Sequence, residues 1–190
     1  MLYSVCSLLA YIVLKLFFRI EILGKNFIPK EGAFVLASNH LSNLDPIVLG
    51  GVSPRRLNFL AKKELFKTPL SSWFLSSLKA FPLKRNKVDF FATRRSIARL
   101  RQKEPLLVFP EGTRRKEEKR VHAGVGFLVS KTGCPVVPVK IYNTDKVLPP
   151  GRILPKLKKI KVVFGRPTLF DKSKNVQDIA QEVIGRINEL

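Results

Sequence analysis

Ala33-Phe34-Val35-Leu36-Ala37-Ser38-Asn39-His40-Leu41-Ser42-Asn43-Leu44-Asp45-Pro46 reads as a strand, a loop and a helix start in one passage. Ala33 to Ala37 is an unbroken apolar run of the length of a strand buried on both faces. It ends at Ser38-Asn39-His40, which sets the histidine at the carboxyl end of that strand. Asp45-Pro46 then has the form of an N-cap followed by proline at the first helical position. A buried strand feeding a helix is the building unit of an α/β sheet.

The alternation continues outward from this passage. Upstream, Arg19-Ile20-Glu21-Ile22-Leu23 alternates as a strand does and stops at Gly24. Downstream, Leu57 to Ala61 predicts a strand, and Leu65 to Phe81, rich in Leu, Phe and Trp73, predicts a helix leading to the basic turn Lys84-Arg85-Asn86-Lys87. Val88 to Lys103 reads as a basic amphipathic helix with Phe91, Ile97 and Leu100 as core contacts. Leu106 to Phe109 is a further buried strand, Val125 to Lys131 a helix ending at Gly133, and Val136 to Ile141 the strand after it. Ile160 to Phe164 is a late strand. Val176, Ile179, Ala180, Val183, Ile184 and Ile187 form a 3.6-residue stripe, the mark of an amphipathic helix. No repeat, low-complexity tract or interdomain linker interrupts the 190 residues. The pattern predicts one α/β domain, with a mixed, largely parallel central sheet flanked by helices on both faces.

Charge narrows the partners. Lys and Arg number 35 against 14 Asp and Glu, a formal net of +21, and such a surface suits nucleic acid, anionic lipid or an acidic carrier or substrate. No zinc-finger, RRM or KH pattern is present, and the aromatics lie in apolar runs, which counts against nucleic acid. The two cysteines and two histidines match no metal-ligand spacing, so no dedicated metal site is expected. Cys134 is expected to be a buried structural thiol.

Met1 to Phe18 is a largely apolar stretch whose one charged side chain is Lys15. As a helix it would reach about 27 Å, short of a hydrocarbon core of ~30 Å. It lacks the basic start and small-residue cleavage site of a secretory signal. It reads either as a short membrane anchor, spanning or re-entrant, or as a core helix. The basic surface favours the anchor, because an apolar anchor and a basic face together hold a protein on a bilayer.

His40 is the candidate general base, since imidazole can take a hydroxyl proton near neutral pH. A carboxylate on its other nitrogen would fix the tautomer and stabilise the imidazolium. Asp45 could serve, if the loop running into the helix start brings the two together; alternatively His40 is a loop residue and Asp45 only a cap. Phe109-Pro110-Glu111-Gly112-Thr113-Arg114 is a turn after a strand, suited to an anionic group. Arg114 offers a planar fork to phosphate oxygens. Gly112 permits a tight turn and close backbone approach, and Glu111 can bind a hydroxyl or orient the arginine. The plain alternative is a surface turn with an exposed ion pair.

In order and spacing these blocks resemble the glycerolipid acyltransferases, the 1-acylglycerol-3-phosphate O-acyltransferase family, from about Leu36 to Tyr142. Asn39-His40 through Asp45 looks like the catalytic block, which implies His40 as base and Asp45 as its partner. Phe81-Pro82-Leu83-Lys84-Arg85 resembles the second block, which implies that Arg85 binds the acceptor phosphate. Phe109 through Arg114 matches the glycerol-phosphate block, implying Glu111, Gly112, Thr113 and Arg114 as substrate-binding residues. Pro135-Val136-Val137-Pro138-Val139 resembles the block linked to the acyl side, carried here by Pro138. Lys84 departs from the family, standing where an acid is common.

The resemblance implies acyl transfer from an acyl carrier protein or coenzyme A thioester to the sn-2 hydroxyl of 1-acylglycerol-3-phosphate (lysophosphatidic acid), giving phosphatidic acid. Glycerol-3-phosphate or another lysophospholipid is the alternative acceptor. Neither a metal nor a tightly bound cofactor is expected. No Gly-x-Ser-x-Gly elbow occurs, so attack should be direct rather than through an acyl-serine. Residues 1–18 are then expected to be a membrane-associated segment and 19–190 the catalytic domain, held at the cytoplasmic face of the cell membrane on anionic lipid.

Overall fold

A computed structural model describes residues 1–84, 89–113, 123–149 and 151–190. The strands are β1 (Glu21–Leu23), β2 (Val35–Ser38), β3 (Asn58–Lys62), β4 (Ala80–Leu83), β5 (Leu106–Val108), β6 (Val136–Tyr142) and β7 (Lys161–Phe164). The helices are α1 (Leu2–Phe18), α2 (Asp45–Val52), α3 (Pro69–Ser77), α4 (Phe90–Arg101), α5 (Gly124–Thr132), α6 (Thr144–Val147) and α7 (Val176–Asn188). The strands form one seven-stranded sheet in the order β1-β7-β6-β2-β5-β3-β4. Every neighbouring pair is parallel except β6 with β7. The expected mixed, largely parallel sheet is what forms.

β2 lies at the middle because it has no exposed residue, and Phe34, Val35, Leu36 and Ala37 are all fully buried. Its alternating side chains feed two cores. Leu36 joins Val48, Leu49 and Val52 of α2 and Leu14 and Phe18 of α1 on one face. Val35 and Ala37 join α5 and α7 on the other. The α7 stripe of Ile179, Ala180, Val183 and Ile187 is buried there; each large aliphatic side chain so buried contributes roughly 1.5–3 kcal/mol.

The connections leave the middle of the sheet on opposite faces. From β2 the chain crosses through α2 on one face to β3, while from β5 it crosses through α5 on the other face to β6. Neighbouring strands whose connections diverge in this way open a crevice at their carboxyl ends, where open α/β sheets bind ligands.

Several elements differ from the sequence reading. The helix expected over Leu65 to Phe81 is a 3₁₀ turn at Lys63–Phe66, then α3, then β4. Thr68 caps α3 by accepting from the Ser71 N–H at 3.1 Å. Lys79, at φ 60°, ends the helical path and turns the chain into β4, which pairs with β3. Phe91 is not a core contact: it is 86% exposed, because the inward stripe of α4 is Ala92, Ser96 and Leu100. Asp45 is not the N-cap of α2 but its first residue, and its carboxylate turns back toward the preceding loop. Cys134 is only partly buried, against the α5–α7 core.

The amino-terminal helix has two faces. Tyr3, Leu14 and Phe18 are buried, and α1 runs against α2 so closely that a Cβ on Gly51 would sit 3.2 Å from the Ala10 Cβ and 3.3 Å from the Tyr11 amide nitrogen. The Ser7 hydroxyl donates to the Gly50 carbonyl at 2.8 Å, and the Leu57 N–H donates to the Tyr3 hydroxyl at 2.9 Å. Burial pushes the Tyr3 hydroxyl pKa up. The opposite face, with Val5, Leu8, Leu9, Ile12, Val13, Leu16 and Phe17, is exposed. Among the described residues no helix is long and apolar enough to cross a membrane.

Candidate active site

Asn39 takes the chain off the sheet. Its side-chain amide donates to the Ile141 carbonyl at 2.9 Å and accepts from the Ile141 N–H at 2.8 Å, standing in for the next residue of the β2–β6 ladder. Residues 40–44 are thereby free to loop over the carboxyl edge before α2 begins. His40 sits in this loop at 5% exposure, and Asp45, in the first turn of α2, is fully buried.

The Asp45 carboxylate gathers the loop around itself. Its Oδ2 accepts from His40 Nδ1 at 2.8 Å, from the Leu41 N–H at 2.6 Å and from the Ser42 N–H at 2.8 Å. The five-residue offset, which a regular helix would set on different faces, is closed by the loop. An ionised carboxylate only accepts, so the pairing assigns a proton to Nδ1 and, in the neutral imidazole, leaves the lone pair on Nε2. The His40 ring stacks on Phe109, with centroids 4.0 Å apart and planes 18° apart. That contact ties the β2 loop to the end of β5.

The turn after β5 is closed by the Gly112 N–H donating to the Phe109 carbonyl at 3.0 Å. Gly112 has φ 64°, a left-handed conformation in which a Cβ is strained. Pro110 is buried, Glu111 and Thr113 are half-buried, and Gly112 is exposed. The structure therefore brings His40, Asp45 and the Phe109–Thr113 turn to one edge. Arg114 and Arg85 lie outside the described residues. β4, which precedes Arg85 in sequence, ends at this same edge, since β2, β5, β3 and β4 run parallel. Asp89 accepts from the Ala92 N–H at 3.0 Å and the Lys84 N–H at 2.8 Å. Those two amides hold its carboxyl below the usual range.

Pro138 pairs in register with Ala37 of β2. It lies within β6, on the alternate side from Val137 and Val139, and its ring faces Gly165, where a Cβ would come within 2.8 Å of Cγ. Two flanking serines are occupied with backbone: Ser38 Oγ donates to the Asn39 carbonyl at 3.0 Å, and Ser42 Oγ to the Leu148 carbonyl at 2.9 Å. Among the described residues no three His, Cys, Asp or Glu cluster as a metal site would require.

Asn39, Ser42 and Phe109, which hold the loop in place, lay inside the sequence blocks without a role of their own. Their signal was position: an amide at a strand end bonds backbone readily, and an aromatic directly before Pro110 was available to cover the imidazole. Chemically, the edge brings together an imidazole, a buried carboxylate behind it, and a glycine turn.

The Acyltransferase family model matches residues 19–142. The chain is 29% identical over 167 residues to the 1-acyl-sn-glycerol-3-phosphate acyltransferase of Bacillus subtilis, covering 87% of this chain and 82% of that protein. It is 31% identical over 154 residues to the chloroplastic 1-acyl-sn-glycerol-3-phosphate acyltransferase LPAT1 of Arabidopsis thaliana, covering 77% of this chain but only 42% of that longer protein. Its structure is similar to the crystal structure of the 1-acyl-sn-glycerophosphate (LPA) acyltransferase PlsC from Thermotoga maritima, with a TM-score of 0.79 at 28% identity, covering 98% of this chain and 78% of that one.

Proposed function

The chain belongs to the acyltransferase family, and on that premise we propose that it moves a fatty acyl group from a thioester to the sn-2 hydroxyl of 1-acylglycerol-3-phosphate. The observation that carries this reading is the buried His40–Asp45 pair, 2.8 Å apart, at the sheet edge where the Phe109–Thr113 turn also ends. His40 Nε2 takes the proton of the hydroxyl as its oxygen attacks the thioester carbonyl. The tetrahedral intermediate collapses with release of the thiol, which regains the proton from the imidazolium. Asp45 stabilises that imidazolium and holds its ring. General-base catalysis of this kind is worth about 10²–10⁴-fold in rate. The engagement of both flanking serine hydroxyls with backbone carbonyls supports direct attack.

Arg85 and Arg114, with Glu111, Gly112 and Thr113, bind the glycerol phosphate; Pro138, one strand over on β6, is assigned to the acyl side. The donor is acyl carrier protein or acyl coenzyme A, each anionic against a chain of net +21. The outward face of α1 lies in the headgroup boundary of a membrane, on the cytoplasmic side, with the rest of the chain as catalytic domain. Leu70 and Trp73 of α3, 74% and 61% exposed, give a second apolar contact.

The test is a panel assay. Purified protein is offered each donor with 1-acylglycerol-3-phosphate, glycerol-3-phosphate or a neutral-headgroup lysolipid, and lipid products are identified by mass. Phosphatidic acid is the expected product. Acylation of glycerol-3-phosphate in preference to the lysolipid would overturn the acceptor assignment.

A further inference from the structure

Gly151-Arg152-Ile153-Leu154-Pro155-Lys156-Leu157-Lys158-Lys159 has no counterpart in the roles assigned so far. Every one of these residues is exposed, with Ile153 at 92%, Leu154 at 80% and Leu157 at 71%. No acid interrupts the four basic residues. The backbone is nonetheless pinned. The Arg152 N–H donates to the Pro149 carbonyl at 3.2 Å, and the Lys156 N–H to the Val147 carbonyl at 2.7 Å. The Ile160 N–H donates to the Phe18 carbonyl at 3.1 Å, and Lys159 pairs with Glu21.

The two ends of the segment join two parts already described. Leu148, just before it, accepts from Ser42 in the His40 loop. Phe18, at its far end, closes α1, whose last outward residues Leu16 and Phe17 are 70% and 55% exposed. A strap fixed at both ends thus holds three large aliphatic side chains outward among lysines, while Val147 and Ile160 supply its core contacts.

We propose that residues 151–159 form a further membrane-inserting element, seated in the headgroup boundary of an anionic bilayer between the site and the carboxyl end of α1. Water alone is a poor partner for aliphatic side chains held this way. An anionic interface suits both sets of groups, with Ile153, Leu154 and Leu157 at the acyl boundary and the basic heads at lipid phosphates. The consequence is a site entrance held at the leaflet from which a lysolipid would come. The inference rests on the reading of that site as one that draws a lipid acceptor.

The test uses the full chain, in which Trp73 is the sole tryptophan. In a Trp73→Phe/Ile153→Trp variant, emission should shift to the blue and be quenched by brominated lipid in phosphatidylglycerol vesicles. The shift should shrink when salt rises from ~0.1 M to ~1 M and the Debye length falls from about 10 Å to about 3 Å. Ile153→Ser/Leu154→Ser/Leu157→Ser should lower the vesicle partition coefficient by at least about tenfold through lost apolar burial, with activity on detergent-dispersed substrate unchanged. A reporter that stays unquenched on vesicle-bound protein overturns the inference. So does a triple variant that partitions like the parent, or one whose only change is loss of self-association, which would make the segment a contact between copies. If quenching occurs but the panel assay yields no acylated lysolipid, the insertion stands and the acceptor reading falls.

Discussion

Asp45→Asn separates the charge of the buried carboxylate from its geometry. Oδ2 accepts three hydrogen bonds, at 2.8, 2.6 and 2.8 Å, in a side chain with no exposure. An asparagine carbonyl can keep the Leu41 and Ser42 amides and the His40 N–H. Its new NH₂ would occupy the place of Oδ1, which has no hydrogen-bond partner among the described residues. An unpartnered buried donor costs about 1–3 kcal/mol. At roughly 2–4 °C per kcal/mol for a chain of this length, melting should drop by about 2–12 °C. A domain stable by ~5–15 kcal/mol survives that loss. Asp45→Ala is harsher, since it leaves three donors, His40 Nδ1 and the Leu41 and Ser42 amides, without their acceptor, each at about 1–3 kcal/mol where water cannot replace it. The amide cannot neutralise an imidazolium, so Asp45→Asn turnover should fall by about 10²-fold or more. Thermal melts followed by circular dichroism, with acyl transfer measured on the same folded sample, decide the matter. A folded Asp45→Asn protein with near-parental turnover would refute the role given to the charge.

Other expectations follow from the sequence motifs and from the packing. Arg85→Ala and Arg114→Ala should raise KM for a phosphate-bearing acceptor about tenfold to hundredfold, from ~1.5–3 kcal/mol per charge-assisted bond. Equal losses for an acceptor without phosphate would count against phosphate binding. Gly51→Val should overpack the α1–α2 contact, where Ala10 and Leu14 already lie 3.2 and 3.3 Å from a simple Cβ, and destabilise by about 1–3 kcal/mol in denaturant melts. An unchanged midpoint would mean that α1 is not packed there. Burial alone would raise the Glu104 carboxyl, but Lys79 at 2.6 Å, Asn58 and Arg99 together hold it below the usual range. Its folded value therefore lies below the unfolded one, so its stabilisation is complete above pH ~4.3 and is lost as pH falls through the lower folded value. Lys79→Met should flatten that acid-side decline in a series of melts.

The sheet was legible where burial was two-sided. The runs at Ala33–Ala37 and Leu106–Phe109 leave no polar face to present, and both became central strands. β4 was hidden because Leu65–Phe81 is apolar enough to pass as one helix; the start signal at Thr68-Pro69 and the left-handed turn at Lys79 break it. The antiparallel pairing of β6 with β7 depends on the long return after Tyr142, which no local periodicity records. Asp45 shows how chemistry overrides a local rule. Its sequence context is that of a cap, yet the carboxylate is turned to the imidazole and two loop amides. The His40–Asp45 pairing could be anticipated, whereas the ring of Phe109 over His40 required knowing that β2 and β5 are neighbours. The amino-terminal helix drew two competing readings because it carries a buried face and an exposed apolar one at once.

The role proposed for His40 Nε2 is removal of the proton of the attacking hydroxyl. Single-turnover acyl transfer to 1-acylglycerol-3-phosphate by His40→Ala, at saturating donor and acceptor, tests it most directly. His122→Ala serves as the control outside the motif. The expected result is a folded His40→Ala protein whose chemical step is slowed by at least about 10²-fold, and a His122→Ala protein close to the parent. A folded His40→Ala protein that transfers the acyl group at the parental rate would contradict it.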